Sequence, residues 1–210
     1  MLYTNSFISR KLVLFWLILI STTVLSNELV QRNSDVEREK AAKQVAQQFM
    51  QELGGHLKKE MQIHDPVDAI KVCRDIAPEI TNRLSLENGW RVTRVTTKPR
   101  NALLGTASGW ERETLLEFES RVARGEKFET MVKAEVIEES GKSYFRFMKP
   151  IAIKPVCLAC HGDTEQISDE VKTKLETLYP YDQAINYKLG ELRGAISIKQ
   201  PMDIPLAKNF

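Results

Sequence analysis

The chain has 210 residues, 42% of them hydrophobic and 28% charged, a balance that fits one folded domain and excludes a disordered tail, a collagen-like fibre or a multi-span membrane protein. Its formal net charge of +2 arises entirely in the first 26 residues, which hold Arg10 and Lys11 and no acid, so residues 27–210 are neutral overall. A nucleic-acid binder shows a basic excess on its folded part, and none is present here.

The amino end has a polar start, Arg10-Lys11, the apolar run Leu12 to Ile20, and then Ser21 to Ser26. That order is the signature of a secretory signal, with cleavage expected after Ser26. Leu12 to Leu25 covers 14 residues, short of the roughly 20 that a membrane-spanning helix needs; an uncleaved anchor is the alternative. In either case residues 27–210 are expected outside the cytoplasm, in the periplasm, as one domain with no stable span after cleavage.

Ser34 and Glu37 form a capping-box pattern, from which Ala41, Ala42, Val45, Ala46, Phe49, Met50, Leu53 and Leu57 recur at helical spacing to about Met61. Asp65-Pro66 predicts a second helix start, with Ala69, Ile70, Cys73, Ile76 and Ala77 on one stripe and Pro78 expected to kink or end it. Further helical turns reach Leu86 and close at Asn88-Gly89. Trp90 to Thr97 has the β-branched texture of a strand, broken by Lys98-Pro99-Arg100-Asn101. Ser108 and Glu111 cap a helix running to Gly125. Met131–Glu138 and Lys142–Met148 predict a hairpin, Ser168 opens a short helix stopped by Pro180, and the last strand is Gly194–Lys199. The fold class is α+β: helices first, then an antiparallel sheet interrupted by helical segments.

Chemistry concentrates in Cys157-Leu158-Ala159-Cys160-His161, a C-x-x-C-H attachment sequence for c-type haem. Two thiols at this spacing each add to one vinyl group, and the adjoining histidine reaches the iron. A thioredoxin-like disulfide would want the pair inside a βαβ pattern. A zinc site would want a second close ligand pair, and His56, His64 and Cys73 are scattered. For the sixth position on iron the sequence offers His56 and His64, which look solvated, and methionines 50, 61, 131, 148 and 202, several of them on patterned stripes. It also offers Cys73, on an apolar stripe and expected to be buried. Arg94, Lys98 and Arg100 are candidates to pair with haem propionates, and Tyr144, Phe145 and Phe147 to line the haem or simply to fill the sheet core.

Five segments occur in a set order: Ile70-Lys71-Val72-Cys73-Arg74-Asp75-Ile76-Ala77-Pro78-Glu79-Ile80, then Lys98-Pro99-Arg100-Asn101, Trp110-Glu111, Cys157-Leu158-Ala159-Cys160-His161-Gly162 and Gly190-Glu191-Leu192-Arg193-Gly194-Ala195-Ile196-Ser197-Ile198. Together they resemble a family of exported single-haem c-type proteins with a PAS-like fold, over about residues 40–205. The resemblance implies a PAS-like antiparallel sheet with long amino-terminal helices. It also implies one covalent haem on Cys157 and Cys160, with His161 and Cys73 as the axial ligands of the iron.

An iron with two protein ligands has no vacant site, and a thiolate favours the ferric state and a low potential. The first expectation is therefore a periplasmic redox or small-gas sensor in which Cys73 detaches, signalling through a separate partner protein. The alternative is a soluble electron-transfer cytochrome. A peroxidase-like enzyme would need an open distal site, and no enzymatic activity is expected.

Overall fold

The computed structural model describes the backbone of residues 10–206 and the side chains of residues 30–206. The apolar leader run and its cleavage point lie outside the residues whose side chains are described. Two compact units divide the chain, Met1–Arg38 and Glu39–Phe210. Residues 10–38 of the first are helical. Among the described residues no helix is long and apolar enough to cross a membrane.

Helix α1 is Arg10–Ile63, so the expected start at Ser34 is corrected: Ser34 and Glu37 lie inside the helix. No proline or glycine occurs between Arg10 and Leu53, and a capping-box pattern without a breaker before it does not stop a helix. Gly54-Gly55 does not interrupt α1 either. In the second unit its stripe Ala41, Ala42, Val45, Ala46 and Phe49 is fully buried.

After His64, α2 (Pro66–Lys71) begins with proline in its first turn. A π-helical turn, Val72–Ile76, joins it to α3 (Ala77–Asn88) without a break. Pro78 was expected to kink or end this helix. A proline inside a helix cannot donate to the carbonyl four residues back and clashes with it, and the widened π-helical turn immediately before Pro78 absorbs that misfit.

The sheet contains β1 (Arg91–Val95), β2 (Lys133–Glu139), β3 (Lys142–Ala152) and β4 (Leu192–Pro201), all antiparallel, in the order β1-β4-β3-β2. The hairpin expected between β2 and β3 is present; its loop is the two residues Ser140 and Gly141, both at positive φ, with Glu139 belonging to β2. The carboxyl-terminal strand sits between the first and third, pairing Ile198 with Val92 on one side and Phe147 on the other.

On one face of the sheet, Val92, Phe145, Phe147, Ile196 and Ile198 pack against α1 and α3 in the main core. Phe145 and Phe147 therefore fill the core, and the Tyr144 ring lies under the Lys199 ammonium at 3.7 Å. On the other face α5 (Gly109–Ala123), opened by the Ser108/Glu111 capping box, buries Leu115 and Phe118 against Val95, Met131, Met148 and Ala195. The helix after Ser168, α7 (Asp169–Leu178), is present as expected. Two single-turn helices, α4 (Ala102–Gly105) and α6 (Leu158–His161), were not expected.

Candidate functional site

Cys157, Cys160 and His161 share one helical winding, because a 3-10 turn at Pro155–Cys157 runs directly into α6. Residues three and four apart lie on one side of such a winding, so both thiols and the imidazole face the same way. Each cysteine is seated on its own small apolar cluster: Cys157 against Ile153, Ala184 and Tyr187, and Cys160 against Ile70, Ile167, Val171 and Leu175. Gly162 closes the winding by donating its N–H to the Leu158 carbonyl at 2.9 Å. A Cβ at this position would stand 2.6 Å from that same oxygen, which no side chain tolerates.

These three residues and Cys73 line one cavity of about 290 Å³. Cys73 arrives from the π-helical turn, half-buried rather than fully buried as expected. Beyond Phe49 the α1 stripe changes role, and Leu53, Leu57 and Met61 become cavity wall. Met61 is thus the one expected methionine that reaches the cavity; Met50, Met131, Met148 and Met202 pack in the cores. His56 and His64 are exposed, as expected.

The His161 Nδ1–H donates to the Ala184 carbonyl at 2.7 Å; a carbonyl only accepts, so the tautomer is fixed and Nε2 keeps its lone pair. Burial, followed by the charges of Arg193 and Arg100, holds the imidazole well below its usual pKa, so it stays neutral. Burial also raises the Cys157 thiol and pushes Cys160 up to about 11. Redox-active thiols of the thioredoxin type have lowered pKa values, and these are the reverse. Cys73 adds to both shifts, which places it within electrostatic reach of the pair. All three cysteines are free, and among the described residues no group of three or more His, Cys, Asp or Glu side chains is placed to hold a metal ion.

Four arginines line the cavity: Arg74, which is paired with its neighbour Asp75 at 2.7 Å, and Arg94, Arg100 and Arg193. Arg100 is paired with Asp182 at 2.8 Å. Among the described residues Arg94 donates to the Cys73 carbonyl, 3.1 Å, and Arg193 to the Thr96 hydroxyl and the Lys98 carbonyl at 3.2 and 3.3 Å. Burial, with help from the neighbouring Arg100 and Arg94, lowers the Arg193 pKa against the pull of Tyr187. A site with two arginines that have no carboxylate ion pair among the described residues suits an anionic ligand. Lys98 is exposed and sits 5.0 Å over the Tyr187 ring, away from the cavity lining. Arg193 was missed from sequence, although it lies within the Gly190–Ile198 segment. Also missed were Tyr179, on the cavity wall, and the loop 182–187, whose Asn186 and Tyr187 amides donate to the Gly162 and His161 carbonyls.

The fold and site together define a PAS-like antiparallel sheet flanked by helices, with thiols, an imidazole and arginines on the wall of one ligand cavity. The chain belongs to the Tll0287-like family, whose model matches residues 27–201. A solved relative is the cyanobacterial heme-protein Tll0287: its crystal structure superimposes with a TM-score of 0.56 at 21% identity, covering 86% of this chain and 98% of that one. No curated protein matches this sequence.

Proposed function

We propose that this chain is an exported c-type haem protein: Cys157 and Cys160 hold one haem covalently, and His161 and Cys73 are the axial ligands of its iron. The single observation carrying this reading is that one cavity gathers both thiols of the C-x-x-C-H winding, a neutral imidazole with its Nδ1 proton committed elsewhere, and a third cysteine from a distant helix. Membership of a family whose solved relative is a heme-protein supports it. The residues fit the group: raised thiol pKa values keep Cys157 and Cys160 as protonated partners for vinyl addition, Arg94 and Arg193 offer donors to propionates, and Leu53, Leu57 and Met61 offer an apolar wall. The haem, when bound, supplies one-electron chemistry and an iron centre for small gases.

The role within that class is a periplasmic redox or small-gas sensor that acts on a separate protein. Placement of Cys73 on a π-helical turn supports this, since such turns mark functional sites where helix register is easily changed. An electron-transfer cytochrome is the second reading, favoured by Leu104, which is 60% exposed and also lines the cavity, so the cavity reaches the surface at α4. Carbon monoxide added to the dithionite-reduced protein separates the two: a sensor changes its absorption spectrum as Cys73 yields, and a carrier stays six-coordinate. Cys73→Ala is expected to abolish the thiolate signature in electron paramagnetic resonance and to raise the midpoint potential. An unchanged spectrum in that variant removes Cys73 as a ligand.

A further inference from the structure

A carbonyl in an irregular loop holds an imidazole only if something holds the loop. Ala184 is fully buried but belongs to no helix or strand. Its N–H donates to Asp182 Oδ1 at 2.7 Å, and Asp182 Oδ2 accepts from Arg100 Nε at 2.8 Å. The same guanidinium donates through its Nη2 to the Cys160 carbonyl and, at 3.3 Å, to the Ala184 carbonyl. Gln183 N–H adds a bond to the Pro99 carbonyl, 3.0 Å. Both charged side chains are nearly enclosed, 10% and 12% exposed. One planar fork therefore joins the Lys98-Pro99-Arg100-Asn101 segment, the C-x-x-C-H winding and the loop that faces His161.

We propose that Arg100 and Asp182 are positioning residues for His161: they hold the Ala184 carbonyl where it takes the Nδ1 proton, and so fix Nε2 as the nitrogen presented to the cavity. This rests on the haem reading for its purpose, but its geometry is a property of the polypeptide. The hydrogen bond on the far nitrogen sets both ring orientation and ligand basicity. Lysine at position 100 keeps the charge but, as a point donor, cannot span the three acceptors.

Charge and position make opposite predictions for Arg100→Met and the same one for Asp182→Asn. Arg100→Met removes a positive charge and Asp182→Asn a negative one, so a purely electrostatic role moves the haem midpoint potential down in the first variant and up in the second. A positioning role moves both upward, because each loosens the bond that makes the imidazole a stronger donor. The expected shift is about tenfold in the reduction equilibrium constant, 59 mV for one electron, with Arg100→Lys giving no rescue. In the haem-free full chain, nitrogen-15 NMR of the His161 ring is expected to show a single Nδ1–H tautomer, becoming a mixture in Arg100→Lys and Asp182→Asn and unchanged in the surface control Arg83→Met. Opposite potential shifts, or one intact tautomer in every variant, overturn the proposal. Should wild-type protein carry no haem, the haem reading fails while the NMR arm still decides this one. Should Arg100→Met not fold, the Arg100→Lys and Asp182→Asn pair decides it.

Discussion

The two sides of the sheet treat buried charge in opposite ways. On the α5 side, Glu111 and Arg146, 5% and 6% exposed, pair at 3.2 Å, and Ser197 donates to the same Glu111 oxygen at 2.6 Å. Arg146 continues to Glu139 at 2.6 Å, Glu139 is shared with Lys199, and the Arg146 guanidinium stacks 4.7 Å over Trp110. Acid and base are balanced within that network, and the Lys199 and Arg146 hydrogen bonds pull the Glu139 carboxyl below its ordinary pKa despite burial, the second of its causes. On the cavity side Arg94 and Arg193 donate to carbonyls and a hydroxyl, with no carboxylate ion pair among the described residues. Burial of charge is costly unless it is paired. A protein that balances one side and leaves Arg94 and Arg193 without an ion pair on the other suits an anion from outside, which the propionates of the proposed haem would supply.

That contrast can be broken, and the largest expected effect is at the cavity. Replacing Cys157 and Cys160 together with alanine should abolish haem that survives denaturing electrophoresis, while the urea midpoint of the haem-free chain stays near wild type, because both side chains sit at the margins of small clusters. On the balanced side, Glu111→Ala strands Arg146 with one partner and removes the α5 capping box. A loss of about 3 kcal/mol in urea unfolding is expected, with haem content unchanged; a haem-deficient Glu111→Ala would mean that the two sides are not independent. The smallest effect sharpens the contrast most. Arg193→Met removes a half-buried cation from beside Arg94 and Arg100, so it should stabilise the haem-free chain by about 1 kcal/mol and destabilise the haem-loaded one. The same sign in both forms would show that no anion meets Arg193.

Much of this site could be read along the chain because its chemistry is local. Cys157, Cys160 and His161 work through three- and four-residue spacing, and the capping box at Ser108 and the hairpin at Ser140-Gly141 depend on neighbours only. What escaped the sequence depends on distant partners. Arg193 differs from any surface arginine only because Tyr187, Arg94 and Arg100 fold around it. Loop 182–187 has no periodicity, and its role comes from backbone groups aimed at Gly162 and His161. The start of α1 does not follow from the local cap pattern at Ser34 and Glu37, because nothing upstream of it ends the helix. At Pro78 the rule held but its outcome differed: the clash was relieved by a π-helical turn, and that turn carries Cys73.

A covalent bond between haem and this polypeptide is tested most directly by intact-protein mass spectrometry on the full chain exported by a haem-maturing bacterium. The expected product is a coloured protein whose denatured mass exceeds that of the polypeptide by one haem, with the increment lost in the Cys157→Ala/Cys160→Ala variant. A colourless product at the polypeptide mass, from a host that matures a control cytochrome in the same culture, would contradict it.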